Sequence, residues 1–214
     1  MRRERLFLRT SKCEFAKSRV DLCGFVVGEG KIDVQESKVK VVREWPVPKN
    51  ISDVRAFLGL CNFYHRHVSE FADAIGPLTA LLKKGRSWSW GVVEQTSFER
   101  IKEMMCSAKS LWAPRADREF HIYTDASNEA VGSTLGQLDD DGVLRPVAFR
   151  SRRLQAAERN YPTHEKEMLA AVDAVKHFRY LIGGMQVVVW TDHRALTWFT
   201  RMAKFVCRLH WLNR

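Results

Sequence analysis

The stretch HIYTDAS, residues 121–127, decides the fold because a strand pattern in it ends on an acidic residue. Apolar and β-branched residues precede Asp125, and such a run predicts a strand. Alternation along this strand places Asp125 on the same face as Tyr123 and His121. A lone aspartate at a strand end usually caps a turn, so the role of Asp125 depends on what joins it.

Two further acidic residues occupy comparable places. Glu167 lies in YPTHEKEMLAAV, at the start of a predicted helix, and Asp192 closes the apolar run VVVWTDH. Helical spacing puts Glu167 at the head of the core-facing stripe, and a buried carboxylate needs a partner such as a metal ion. Mg²⁺ prefers oxygen ligands, so we expect Asp125, Glu167 and Asp192 to share a divalent cation site. Spacing alone leaves Glu165, two residues earlier, as a rival of Glu167.

The order of these carboxylates and the sequence motifs around them resemble the RNase H region of gypsy-type LTR-retrotransposon Pol polyproteins. The matching motifs are TDAS, PVAFRSRRL, NYPTHEKEMLA, FRYLIGG and TDHRAL. The resemblance implies an α/β fold, an RNase H-like mixed sheet with helices. It also implies hydrolysis of RNA in RNA–DNA hybrids by two Mg²⁺ ions, with Mn²⁺ as a substitute. Glu167 precedes Met-Leu-Ala as the catalytic Glu of that family precedes its ELxA-type run, which favours it over Glu165.

The first half of the chain resembles the preceding part of the same polyproteins, from the end of the reverse transcriptase palm through the thumb or connection. The sequence segments that carry this resemblance are KCEF, WPVPKNISDVRAFLGLCNFYHRHV, PLTALLKKG and WSWGVVEQTSFERIK. It implies three parts: a palm-end hairpin over 1–35, a mostly helical thumb- or connection-like segment over 36–113, and a truncated RNase H-like domain over 114–214.

Turn and cap residues give the local expectations. Gly28-Glu29-Gly30 predicts a hairpin, Ser52 predicts a helix N-cap, and Gly183 ends the helix that carries Glu167. Asp139–Asp141 precede Gly142 and predict a solvated turn between two strands. RALTWF at 194–199 predicts a further helix.

The resemblance also implies that the chain lacks parts of the polymerase active site and of the RNase H domain. The Tyr-x-Asp-Asp pair of a polymerase would precede residue 1, so no DNA synthesis is expected of this chain. The fourth RNase H carboxylate, the last sheet strand and the final helix would follow residue 214, which implies weak or lost hydrolysis. A non-catalytic nucleic-acid-binding remnant and a pseudogene-derived product are therefore alternatives.

Composition indicates a polyanionic partner, because 35 Lys and Arg against 25 Asp and Glu give a net charge of +10. We expect an RNA–DNA hybrid or another nucleic acid. The candidate phosphate contacts, with plain solvation as an equal alternative, are Lys83, Lys84, Arg150, Arg152 and Arg153. Tryptophan side chains are candidates for base stacking, although core packing is the commoner role.

Cysteine usage and hydropathy predict the compartment. The five cysteines show no CxxC spacing, which argues against a zinc site, and their odd number fits a reducing environment. The basic N-terminus lacks the apolar centre of a signal peptide, and no apolar run approaches a membrane span. We expect an intracellular protein, cytoplasmic or nuclear, that is neither secreted nor membrane-bound.

Overall fold

The computed structural model describes residues 15–192 and, for the backbone, 207–211. The helix predicted at 194–199 lies outside the described residues. Three antiparallel strands open the described part: β1 (Arg19–Leu22), β2 (Phe25–Gly28) and β3 (Lys31–Val34). β2 and β3 form the hairpin predicted at Gly28-Glu29-Gly30, where Glu29 and Gly30 adopt positive φ. The later strand β4 (Leu111–Trp112) pairs with β3 and completes this sheet.

Five helices follow the hairpin and build the first core. They are α1 (Glu36–Arg43), α2 (Ile51–Phe63), α3 (Phe71–Ala74), α4 (Gly76–Leu81) and α5 (Val92–Cys106). Large apolar side chains from these helices are almost fully buried together, including Phe57, Leu78, Phe98 and Ile101. Phe25 and Val34 of the N-terminal sheet pack against the same core.

The start of α2 corrects one expectation. The predicted N-cap is Ser52, but Asn50 takes that position, and its side-chain oxygen accepts a hydrogen bond from the backbone N–H of Asp53 at 3.0 Å. Asn is as good a cap as Ser, and Ser52 already lies inside the first turn.

A second sheet holds the strands predicted from 118 onward. It contains β5 (Phe120–Ala126), β6 (Ala130–Leu138), β7 (Leu144–Arg153), β8 (Val187–Thr191) and β9 (Cys207–Trp211), in the order β7-β6-β5-β8-β9. The first three strands are antiparallel, whereas β5–β8 and β8–β9 are parallel. Asp139–Asp141 lie in the turn between β6 and β7, as predicted.

The presence of β9 shows that the expectation of a missing last strand is wrong. Cys207–Trp211 pairs along the whole of β8 and satisfies hydrogen-bonding groups that an uncovered edge would expose. Local pattern offers little sign of this strand, because a five-residue strand in a parallel pair need not show alternation.

Helix α6 (Thr163–Ile182) covers one face of this sheet. Its buried stripe includes Ala171, Ala174 and Phe178, which pack with Phe120 and Ile122 of β5 in a second core. Gly183 adopts positive φ and ends the helix as predicted. In the described ranges, no helix combines the length and the apolarity needed to cross a bilayer.

Candidate metal centre

The parallel pairing of β5 and β8 brings two of the predicted carboxylates to one edge of the sheet. The register pairs Tyr123 with Trp190, and their rings stack with centroids 5.7 Å apart. Continuing that register for two residues sets Asp125 level with Asp192. Parallel strands end at the same edge, so both carboxylates emerge there.

Helix α6 supplies the third carboxylate. Glu167 lies one turn into the helix, on the stripe that faces the sheet, and only 4% of it is exposed. The rival Glu165 is exposed in the same turn. Of the two glutamates, Glu167 is therefore the one that is buried against the sheet.

Oxygen atoms from Asp125, Glu167 and Asp192 all lie within 4.8 Å of one another. Asp125 and Asp192 are exposed, whereas Glu167 forms the floor of the group. Carboxylates this close repel one another when all are ionised, and a shared cation removes that repulsion. The structure therefore brings the three predicted residues together in one cluster.

Glu167 shows the electrostatic cost of the arrangement. Desolvation, followed by the negative charges of Asp192 and Asp125, raises its pKa from an ordinary 4.5 to about 7, and a hydrogen bond from the Ala126 backbone opposes this rise. Its Oε2 is buried and makes no hydrogen bond within the described part of the chain. A buried carboxylate oxygen without a donor is the kind of ligand that a divalent cation completes.

The donor set fits a hard cation. Three carboxylates supply oxygen ligands on a rigid support of two strand ends and one helix, and Mg²⁺ and Mn²⁺ prefer such ligands. Two of the carboxylates reach solvent and one lies beneath them, so a cation held there would remain open to water on the exposed side.

The predicted basic contacts divide into two groups. Arg150 and Arg152 share the Asp173 carboxylate at 3.1 and 3.0 Å, and Arg152 also pairs with Glu158. Arg153 pairs with Glu129 at 2.7 Å. These three guanidinium groups are therefore neutralised largely within the chain.

Lys83 and Lys84 belong to a loop in which the sequence analysis did not single out Arg86 and Trp88. Both are exposed, as is Arg86, and within the described residues none of the three has an ion pair. Trp88 is 36% exposed and stacks on Trp90 with ring centroids 5.7 Å apart. The signal that could have found Arg86 and Trp88 was the run KKGRSWSW, in which three cations are followed by two tryptophans and no carboxylate occurs. We call residues 83–90 the basic–aromatic loop.

A mixed sheet with a helix that carries one of three clustered carboxylates is the arrangement that the resemblance to RNase H implied. Residues 90–189 match the family model described as the RNase H-like domain found in reverse transcriptase, and this part of the chain belongs to that family. Much of the full chain is related to retrotransposon Pol polyproteins, as the resemblance implied.

Among curated relatives, the chain is 34% identical to the retrovirus-related Pol polyprotein from transposon opus of Drosophila melanogaster over 95% of its own length and 21% of that protein. It is 36% identical to the corresponding polyprotein from transposon 297 of the same species, over 90% of the chain and 18% of the relative. The Tf2-3 polyprotein of Schizosaccharomyces pombe is 32% identical, over 89% of the chain and 14% of the relative. The chain thus spans about a fifth or less of these relatives.

Solved structures show the same fold. The foamy viral protease-reverse transcriptase dRH in complex with double-stranded DNA superposes with a TM-score of 0.78 and 17% identity, over 92% of this chain and 38% of that one. The foamy viral protease-reverse transcriptase in complex with an RNA/DNA hybrid superposes with a TM-score of 0.77 and 17% identity, over 92% of this chain and 29% of that one. At this identity the similarity is one of fold.

Proposed function

We propose that this chain is the part of a retrotransposon reverse transcriptase that hydrolyses RNA in RNA–DNA hybrids with the help of divalent cations, Mg²⁺ in the first place and Mn²⁺ as a substitute. The observation that carries the proposal is the convergence of Asp125, Glu167 and Asp192 within 4.8 Å. The family of residues 90–189 supports it, as do relatives that are retrotransposon polyproteins.

The chain's own residues would divide the work by position. Glu167 would hold the cation from beneath, because its carboxylate is buried and fixed by helix α6. Asp125 and Asp192, which are exposed, would complete the ligand set on the side from which a nucleic acid backbone approaches. Bound divalent cations activate a water molecule for in-line attack and stabilise the leaving oxygen.

A cleavage assay on the purified chain tests the proposal. We expect a labelled RNA strand to be cut slowly when paired with DNA in Mg²⁺ or Mn²⁺, and to stay intact in EDTA. Single-stranded RNA and double-stranded RNA of the same sequence serve as controls. Cutting that persists in EDTA would contradict the dependence on a divalent cation. Binding of hybrid without any cutting would count against hydrolysis and support a non-catalytic binding role.

The basic–aromatic loop is our proposed contact for nucleic acid outside the metal centre. Lys83, Lys84 and Arg86 present cations without carboxylate partners in the described structure, and Trp88 offers an exposed ring. Cations bind phosphates, and aromatic rings stack on unpaired bases. Arg150, Arg152 and Arg153 are weaker candidates because their charges are balanced by Asp173, Glu158 and Glu129.

Binding should weaken steeply with salt if the loop binds phosphates. Replacing Lys83, Lys84 and Arg86 together with Gln should reduce the slope of log affinity against log salt by about 0.9 for each duplex phosphate that the variant no longer neutralises. Fluorescence anisotropy with a labelled hybrid between roughly 50 and 200 mM salt measures this slope. The matched control replaces three exposed cations of α1, Lys38, Lys40 and Arg43, with Gln. Equal slopes in both variants would show that only net charge matters.

A further inference from the structure

We propose that the helical segment positions the candidate metal centre through the turn that follows Asp125, and that Asp73 is a positioning residue for that centre. The turn comprises Ser127, Asn128 and Glu129, between β5 and β6. Each of its residues is bound by a different element, α3, α6 or β7, and of these α3 lies before the matched range 90–189. The inference rests on the proposed metal-binding function.

Ser127 is the centre of the turn's own hydrogen bonds. Its backbone N–H donates to the carbonyl of Ala130 at 2.8 Å, and its Oγ accepts from the N–H groups of Glu129 and Ala130 at 3.2 and 2.9 Å. The same Oγ lies 3.3 and 3.5 Å from the two carboxylate oxygens of Asp73. The single hydroxyl proton of Ser127 is shared between the Asp73 carboxylate and the Ala130 carbonyl, whose oxygen lies 3.1 Å from Oγ.

Asp73 is itself held on a fixed support. It belongs to α3, whose residues Phe71, Ala72 and Ala74 are buried. The backbone N–H of Ala72 donates to Ser151 Oγ of β7 at 2.7 Å, and Ser97 Oγ of α5 donates to the carbonyl of Ala74 at 2.6 Å. The carboxylate of Asp73 is therefore presented to the turn by an element anchored on both sides.

Asn128 and Glu129 are bound from elsewhere. Lys166, buried beside Glu167 on α6, donates to Asn128 Oδ1 at 3.2 Å and so ties the turn to the helix that carries the floor ligand. Glu129 accepts from Arg153 at 2.7 Å. Gly76 of α4 lies so close to that guanidinium that a Cβ there would stand 2.7 Å from it.

These contacts link the segment over 71–76 to the placement of Asp125 against Glu167. Groups that orient metal ligands from outside typically change metal affinity 10- to 100-fold when removed. Losing the Asp73 carboxylate should remove the contact between Ser127 and α3, while the turn keeps its own hydrogen bonds and its contacts with Lys166 and Arg153. The expected loss is therefore at the lower end of that range.

The test compares Asp73→Ala with Asp73→Asn, which keeps an oxygen acceptor for Ser127. We expect Asp73→Ala to bind Mn²⁺ about tenfold more weakly by calorimetry and to exchange the backbone amides of 127–130 faster. Asp73→Asn should restore most of both properties. Glu70→Ala is the matched control, because it removes a nearby exposed carboxylate that pairs with Arg100 and leaves the turn untouched.

The outcomes separate the inference from the proposed function. Equal Mn²⁺ affinity in all four proteins, or faster exchange throughout the molecule in Asp73→Ala, would overturn the positioning role. The expected order of affinities together with uncut hybrid would contradict hydrolysis and leave the positioning role supported. Wild-type protein that binds no Mn²⁺ would overturn both.

Discussion

We expect Asp125→Asn to abolish hydrolysis of RNA–DNA hybrid by this chain, with a loss of at least about 100-fold because metal-site ligands act as a unit. Asn keeps the shape of the side chain and an oxygen for the Ala126 N–H, which lies 3.0 Å from Asp125 Oδ1. It removes the negative charge that a divalent cation requires. The measurement is the initial rate of RNA cleavage in saturating Mg²⁺.

Folding of the metal-free protein separates a metal ligand from a structural aspartate. Removing one of three neighbouring carboxylates relieves repulsion, so the melting temperature of Asp125→Asn in EDTA should be unchanged or higher. An aspartate needed only for the turn would instead lower stability by about 1–3 kcal/mol when replaced. Brisk cleavage that survives Asp125→Asn would place the site elsewhere.

The second large effect is a pH-dependent cost of burying Glu167. Its pKa is raised to about 7 in the folded protein, so the fold favours the protonated carboxyl. This stabilisation is complete below the unfolded pKa and disappears as pH rises through 7. Above that pH the ionised, metal-free Glu167 should lower the free energy of unfolding by about 3 kcal/mol relative to acid conditions.

Glu167→Gln isolates this contribution from the other titrating groups. The difference in unfolding free energy between Gln variant and wild type should be smallest near pH 4.5 and grow in favour of Gln up to about pH 8, in EDTA. Adding Mn²⁺ at pH 8 should stabilise the wild type and leave Glu167→Gln nearly unchanged. A difference that does not vary with pH would show that Glu167 is not strained by burial and its neighbours.

Local patterns pointed to the residues of the candidate site, but the family resemblance was needed to choose Glu167 over Glu165. Asp125 and Asp192 each follow an apolar strand pattern, and Glu167 lies at the head of a helical stripe, so each of the three candidate residues has its own local pattern. What no local pattern contains is the β5–β8 pairing, which sets Phe120 opposite Val187. The family resemblance supplied that long-range information.

Other features depended on contacts between distant residues and could not be predicted. Asp73 and Ser127 are 54 residues apart, and neither lies in a motif that implies the other. Arg150 and Arg152 were predicted to contact phosphates, but in the folded chain both donate to the carboxylate of Asp173, which is more than 20 residues away in sequence. Strand β9 was missed because its pairing with β8, rather than its own residues, defines it.

The central claim is that Asp125, Glu167 and Asp192 form one divalent cation site. Calorimetric titration of Mn²⁺ into the wild type and into Asp192→Asn tests this claim most directly, because it needs neither substrate nor turnover. We predict saturable binding to the wild type and loss of that binding in Asp192→Asn, while the two proteins keep the same far-ultraviolet circular dichroism. Equal Mn²⁺ binding by the two folded proteins would contradict the shared site.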